Sequence, residues 1–175
     1  MRNREFRGAK KVVIAFAMTP LFFLPSSVHA DVRQGDQGFG VMLGNPSGFS
    51  WKMWLQEKVG LDAAVGVARS EFDVHITLLW HDFDTARRMS GLDGMTSRGD
   101  VPFYIGVGPR LLFESNTEFG IRIPLGVCYL PKTSQWETFL EVAPVIRLTP
   151  DAGLNGDFAI GLRYYFPAVR PRLKP

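Results

Sequence analysis

Apolar and polar residues alternate with a period of two along most of the chain, from about residue 37 onward. This alternation predicts β-strands, because successive side chains of a strand point to opposite faces of its sheet. Helical periodicity is nearly absent, and residues typical of turns divide the pattern into separate runs. We predict eight strands, at 37–44, 48–56, 58–69, 71–82, 101–114, 117–130, 134–149 and 152–166.

The two faces of these strands differ sharply in composition. One face carries large apolar side chains, and the other combines glycine and alanine with charged residues. A face exposed to water is expected to carry Lys, Glu, Thr and Ser instead, because glycine weakens a strand. In a membrane barrel, small residues and a few paired charges fill a narrow lumen while the apolar face contacts lipid. The pattern therefore favours an all-β fold, an eight-stranded antiparallel up-and-down transmembrane β-barrel, over a soluble barrel or sandwich.

Aromatic residues of the apolar face are also sorted by their position along the strands. If both ends of the barrel segment lie on one side, two aromatic rims flank an aliphatic band, as the two membrane interfaces select. The predicted near rim contains Phe39, Trp80, Phe103, Tyr129, Trp136, Tyr164 and Phe166. The predicted far rim contains Phe49, Trp51, Phe72, Phe113 and Phe119.

The charged residues of the small-residue face are the candidate site. An unpaired buried charge is very costly, so basic and acidic groups enclosed in a narrow lumen should pair. We expect a structural ion-pair network that closes the lumen; a narrow ion path is the alternative. Its members are Lys52, Asp62, Arg110, Arg122, Glu137, Glu141, Arg147, Asp157 and Arg163.

The first thirty residues predict an export signal. A basic segment precedes an apolar run at 12–24, and Val28-His29-Ala30 supplies a cleavage pattern. Cleavage after Ala30 assigns residues 1–30 to a signal peptide, 31–166 to the barrel and 167–175 to a short basic tail. The remaining 145 residues carry 15 basic and 16 acidic side chains, so the basic balance of the whole chain does not indicate a nucleic-acid partner.

The last predicted strand resembles the C-terminal strand of bacterial outer-membrane barrels, in which alternate apolar residues end in phenylalanine. Together with the run from Gly38 to Gly44, this strand carries a resemblance to the small OmpA-like and OmpX-like transmembrane barrels, which covers residues 37–166. The resemblance implies a location in the outer membrane, contact with its lipid and recognition by the barrel assembly machinery. It implies that the assembly signal comprises Phe158, Ile160, Leu162, Tyr164 and Phe166. The chain departs from the pattern of this family in two respects. Nine residues follow Phe166, and the longest connection, 83–100, lies on the periplasmic side.

No motif for a cofactor, metal or nucleophile is present, so we expect a non-enzymatic structural or interaction barrel without a cofactor. A soluble periplasmic lipocalin-like binder and a lipid-modifying barrel enzyme are the alternatives. The enzyme alternative is weaker, because the histidines outside the predicted signal peptide, His75 and His81, lack a convincing serine partner. We place three prolines on the apolar face, where they indicate wall-curving bulges or a seam for lateral lipid entry: Pro109, Pro124 and Pro144.

Overall fold

The structure is a computed structural model, and it describes residues 34–89, 91–113 and 117–166. The predicted signal peptide, residues 1–30, and the predicted tail, 167–175, lie outside the described residues. In chain order, the described elements are β1 Gln37–Asn45, β2 Ser47–Gln56, β3 Val59–Ala68, β4 Glu71–Asp82, α1 Asp84–Arg88, α2 Asp93–Thr96, β5 Gly99–Asp100, β6 Phe103–Phe113, β7 Glu118–Arg122, β8 Leu125–Pro131, β9 Trp136–Thr149 and β10 Gly153–Phe166.

The strands close into a ring of antiparallel neighbours. Successive long strands pair with one another, and β10 pairs with both β9 and β1, which joins the two ends of the sheet. Strands β7 and β8 occupy the same side of this ring, between β6 and β9. Gly108 of β6 faces Arg122 of β7, and Ile105 of β6 faces Leu125 of β8. The register of β6 therefore does not shift between β7 and β8. The ring therefore has eight sides.

The hydrogen-bonded strands nevertheless number ten among the described residues, and the prediction of eight uninterrupted strands is wrong in this respect. The predicted strand at 117–130 is divided because Pro124 has no N–H group to donate to a ladder. Flanking bonds hold the wall together at this point. The Ile123 N–H donates to the Pro144 carbonyl at 2.9 Å, and the Gly106 N–H donates to the Pro124 carbonyl at 2.8 Å. The other additional strand, β5, extends the sheet by pairing with the end of β8.

The long connection between β4 and β6 lies at the end of the ring where β1 begins and β10 ends, called the near end below. It forms α1, α2 and β5, and the ring of Phe83 lies 6.1 Å from that of Trp54. The Arg87 guanidinium donates to Asp100 at 2.7 Å, and this hydrogen bond raises the pKa of Arg87. Within the described part of the chain, no helix is long and apolar enough to cross a membrane.

Burial follows the predicted alternation, with the polar face inside the ring. Outward apolar side chains are strongly exposed, as for Leu154 at 75% and Phe49 at 70%. Inward positions are closed off, and even Lys52 and Arg122 are 0% exposed. The described ring thus carries large apolar residues on its outer face and buries charged and apolar side chains together in its interior. A water-soluble protein instead keeps most of its charged residues on the surface.

Large inward aromatic residues, which the sequence pattern did not single out, fill the spaces that inward glycines leave. Tyr165 packs over Gly38, where an added Cβ atom would lie 2.9 Å from the ring. Phe139 covers Gly161 in the same manner, and Trp54 is 2% exposed. Pairing large with small residues across neighbouring strands is how a narrow barrel interior is filled.

Contacts between aromatic rings mark the near rim of the outer face. At the near end, Phe166 lies 5.0 Å from Tyr164 and 6.1 Å from Phe39, measured between ring centroids. The assignment of Trp51 to the far rim is wrong. Trp51 is directly opposite Phe39, and its indole N–H donates to the side chain of Gln37 at 3.1 Å. The position of Trp51 between the two rims is set by the residue that it faces on β1, and not by its place in the sequence of β2.

Candidate functional site

One cluster of buried charges is centred on Glu137 of β9. Its Oε2 atom accepts hydrogen bonds from Lys52 Nζ at 3.0 Å and from the Tyr165 hydroxyl at 2.8 Å. Its Oε1 atom accepts from Arg163 Nη1 at 2.6 Å. Lys52 and Glu137 are 0% exposed. One carboxylate therefore binds two cations in a place closed to water.

Arg163 on β10 connects this carboxylate to the opposite wall. Its guanidinium also pairs with Asp62 on β3 and donates from Nε to the Ser50 hydroxyl at 2.8 Å. The Phe139 ring lies 3.9 Å from its central carbon, a distance typical of cation–π contacts. Each guanidinium nitrogen thus has a polar partner. We call these contacts the Arg163 cluster: Lys52, Asp62, Glu137, Arg163 and Tyr165.

A second cluster surrounds Arg122 of β7. Arg122 Nη2 lies 2.5 Å from Glu141 Oε1, and its Nε lies 3.5 Å from Asp157 Oδ2. The Tyr104 hydroxyl donates to the other oxygen of Glu141 at 3.0 Å. Arg110 Nε also reaches Asp157, at 3.4 Å. Two cations and two carboxylates therefore share this level of the ring, and we call it the Arg122 cluster.

Asp73 extends the Arg122 cluster along β4, and it was not among the predicted site residues. One of its oxygens accepts from Arg110 Nε at 2.5 Å, and the other lies 2.9 Å from His75 Nδ1. Asp73 is 0% exposed. The alternation contained the signal for this residue, because its neighbours Phe72 and Val74 belong to the apolar face.

Arg147 differs from the other predicted site residues, because its side chain is 28% exposed at the end of the ring opposite the near end. It pairs there with Glu118 at 3.0 Å, and Arg69 contacts the second oxygen of the same carboxylate at 2.9 Å. Its Nε donates to the backbone carbonyl of Asp151 at 2.9 Å. Placing Arg147 in the closed lumen was therefore wrong, because its height along β9 brings it to the far rim.

The structure brings the other eight predicted site residues together inside the ring, all of them buried. Several pairs join residues that are remote in sequence, such as Lys52 with Glu137 and Asp62 with Arg163. Removing one member of such a pair leaves a charge that is buried and uncompensated. The role of this network in stabilising the barrel stays a prediction.

The two described histidines have different surroundings. His75 contacts Asp73, as described above. The His81 ring lies 4.4 Å from the Trp54 ring between centroids, at an interplanar angle of 46°, and neither of its ring nitrogens has a hydrogen-bond partner among the described residues. The hydrogen bonds described for these two rings therefore include no serine hydroxyl.

The three prolines do not share one face. Pro109 on β6 and Pro144 on β9 point outward and are exposed, as predicted, whereas Pro124 is fully buried inside the ring. Assigning Pro124 to the apolar face was wrong, because its neighbours Ile123 and Leu125 occupy that face. At Pro109, the β4–β6 pairing skips two positions and resumes in the same register.

The strand that carries the predicted assembly signal, β10, closes the ring against β1 and β9. All of the predicted signal residues lie on its outer face. Phe158, Ile160 and Phe166 are more than half exposed, Leu162 is 39% exposed and Tyr164 is half-buried. Recognition of this face by an assembly machinery stays a prediction.

Comparison with known proteins supports the fold. The chain is similar to the crystal structure of the N-terminal β-barrel domain of Pseudomonas aeruginosa OprF, with a TM-score of 0.54 and 12% sequence identity. The similarity covers 76% of this chain and 98% of that domain. No protein-family model and no curated protein sequence matches the chain. The chain thus has a β-barrel fold similar to that of the OprF domain.

Proposed function

We propose that this protein is a small, non-enzymatic barrel that spans the bacterial outer membrane, with a structural or interaction role. The observation that carries the proposal is the reversed distribution of polarity. Ion pairs occupy the interior of the ring, and exposed large apolar side chains occur on each of its eight sides. Soluble monomers rarely expose contiguous apolar patches larger than a few hundred Å². A bilayer removes this surface from water.

Closure of the ring supports the proposed membrane span on the grounds of backbone hydrogen bonding. In hydrocarbon no water replaces a missing backbone hydrogen bond, so only helices and closed barrels cross it. The pairing of β10 with β1 removes the sheet edges that would otherwise remain unsatisfied. The aromatic side chains of the near rim, such as Phe39 and Phe166, are suited to the interface between headgroups and hydrocarbon.

We propose further that the lumen is closed. The Arg163 cluster joins β2, β3, β9 and β10 across the interior, and the Arg122 cluster joins β6, β7, β9 and β10. Trp54, Phe139 and Tyr165 occupy space beside the charges and are at most 3% exposed. Charges that pair across a narrow interior leave little room for a hydrated path.

The two alternatives make different demands on the interior. A lipocalin-like soluble binder needs an apolar cavity inside the ring, whereas the described interior holds buried arginines and carboxylates. A lipid-modifying enzyme needs a nucleophile with a base, whereas His75 contacts a carboxylate that is itself paired with Arg110.

The export signal and assembly by β10 complete the proposal, with outer-membrane lipid and the barrel assembly machinery as partners.

Cell fractionation tests this function. We expect the protein to sediment with outer membranes on a sucrose gradient and to resist extraction by carbonate. Recovery in the soluble fraction after osmotic shock would instead support the lipocalin-like alternative. Mass analysis of lipid A from cells with and without the protein addresses the enzyme alternative, and we expect identical spectra.

A further inference from the structure

The outer wall of the ring contains an apolar groove of about 400 Å³ where β6, β8 and β9 meet. The register places the outward side chains of Phe103, Val127 and Leu140 side by side across the three strands. Leu140 is 55% exposed, whereas Val127 and Phe103 are half-buried. Leu140 thus forms a ridge, and Val127 lies at the floor of a depression.

Two cations lie at the near end of the same strand. Lys132 directly follows β8, and its backbone N–H donates to the Arg98 carbonyl at 3.0 Å, which brings the two residues together. Both residues are exposed. The Lys132 ammonium has one described contact, with the Ser97 carbonyl at 3.5 Å, and the Arg98 guanidinium has no described carboxylate partner. Their charges are therefore available to an anion at this rim.

The groove and the cations lie within the depth of one leaflet of a bilayer. Val127 precedes Lys132 by five residues, and a strand rises about 3.3 Å per residue, so they lie about 16 Å apart along β8, or about 12 Å along the membrane normal at a strand tilt of about 40°. The hydrocarbon core of a bilayer is about 30 Å thick, so one leaflet contributes about 15 Å. A chain that starts at the near rim can therefore reach the groove.

We propose that this wall binds one anionic phospholipid, with an acyl chain in the groove and the phosphate between Arg98 and Lys132. The inference rests on the proposed membrane location. Within a bilayer no hydrophobic gain distinguishes the groove from other lipid, so selectivity comes from van der Waals fit and from charge at the headgroup. The chain contacts Phe103, Val127 and Leu140, and the two cations favour an acidic headgroup over a zwitterionic one.

Native mass spectrometry of the protein isolated from cell membranes tests the site, with phosphatidylglycerol or phosphatidylcholine added in detergent. We expect the parent to retain one phosphatidylglycerol preferentially. Val127→Trp fills the groove and should lose most of this retention. Val65→Trp makes the same exchange on the outer face of β3, away from the groove, and should retain the lipid.

Charge reversal provides a second, independent arm. Arg98→Glu combined with Lys132→Glu should abolish the preference for phosphatidylglycerol, whereas Lys58→Glu combined with Arg88→Glu, elsewhere at the near end, should not. Equal retention by the Val127→Trp and Val65→Trp variants, or an unchanged headgroup preference after reversal at 98 and 132, would overturn the proposal. Absence of the parent protein from the membrane fraction would refute the membrane location itself, a distinguishable failure.

Discussion

The Tyr104 hydroxyl on β6 donates to Glu141 on β9 at 3.0 Å, across the strand that separates them. Gly126 of β8 is opposite both residues in the ladder, so the phenol ring passes over a position that has no side chain. A Cβ atom at position 126 would overlap the ring and lie 2.6 Å from the Leu140 carbonyl oxygen. The contact between Tyr104 and the Arg122 cluster therefore depends on glycine.

Replacing this glycine should destabilise the barrel. We expect Gly126→Ala to lower the free energy of unfolding by about 1–3 kcal/mol, because Tyr104 must leave its rotamer and its bond to Glu141. Urea unfolding in detergent, followed by tryptophan fluorescence, measures the change. Gly156→Ala is the matched control, since nothing lies within 4 Å of a Cβ atom there. Equal shifts of the two unfolding midpoints would contradict the packing of Tyr104 over Gly126.

Removing the cation at the centre of the Arg122 cluster should have a larger effect. Arg122→Leu leaves Glu141 and Asp157 buried with less compensation, and we expect a loss of about 3–5 kcal/mol. Ile146→Leu, on the outer face of β9, should be nearly silent because lipid or detergent accepts either side chain.

A double variant separates loss of pairing from loss of packing. Arg122→Leu combined with Glu141→Leu removes both charges, so it should recover part of the stability lost in the single variant. The same urea titration measures the parent, Arg122→Leu, Glu141→Leu and the double variant. If the double variant loses more free energy of unfolding than the two single variants lose in sum, the pair does not act through charge compensation.

The alternation of the sequence was sufficient to place Arg122 inside and Ile146 outside, because parity along a strand fixes the face of every residue. It was also sufficient to place Asp73 and Pro124 inside, although neither was assigned there. Parity does not identify partners. Lys52 and Glu137 are separated by 85 residues, and their contact depends on how the ring closes and on the stagger of its strands.

Height along the ring was harder to predict than face. Trp51 was assigned to the wrong rim, and Arg147 was assigned to the closed lumen although it lies at the partly exposed far end, since the tilt of neighbouring strands shifts one against the next. The interruption at Pro124 is different, because proline is visible in the sequence and lacks the N–H group that a ladder uses. The residue type alone does not predict the break, since Pro109 and Pro144 lie within continuous strands. The inward aromatic side chains, such as Phe139, follow the parity but were hidden by their apolar character.

Phe166 offers a test of the predicted assembly signal. It lies at the end of β10, is 51% exposed and contacts Tyr164 and Phe39 only through ring edges. Phe166→Ala should therefore cost the folded barrel at most a few kcal/mol, while its level in the outer membrane of cells should fall strongly.

The control for assembly is deletion of residues 167–175, which lie beyond β10 and should be dispensable. Levels in outer-membrane fractions are compared at equal expression, together with refolding of each purified variant in detergent. A normal level of Phe166→Ala alongside a failed tail deletion would place the signal beyond Phe166.

The orientation of β9 in lipid is most directly measured by spin labels at successive outward positions, Leu140, Val142 and Ile146, with the barrel in vesicles. Their side chains are between 43% and 55% exposed and should contact hydrocarbon if the ring spans a bilayer. We predict frequent collisions with oxygen and few with a water-soluble relaxing agent at all three sites, and the reverse at a label on Asp151 in the β9–β10 turn. Frequent collisions with the water-soluble agent at 140, 142 and 146 would show that this face is hydrated and that the barrel does not span the membrane.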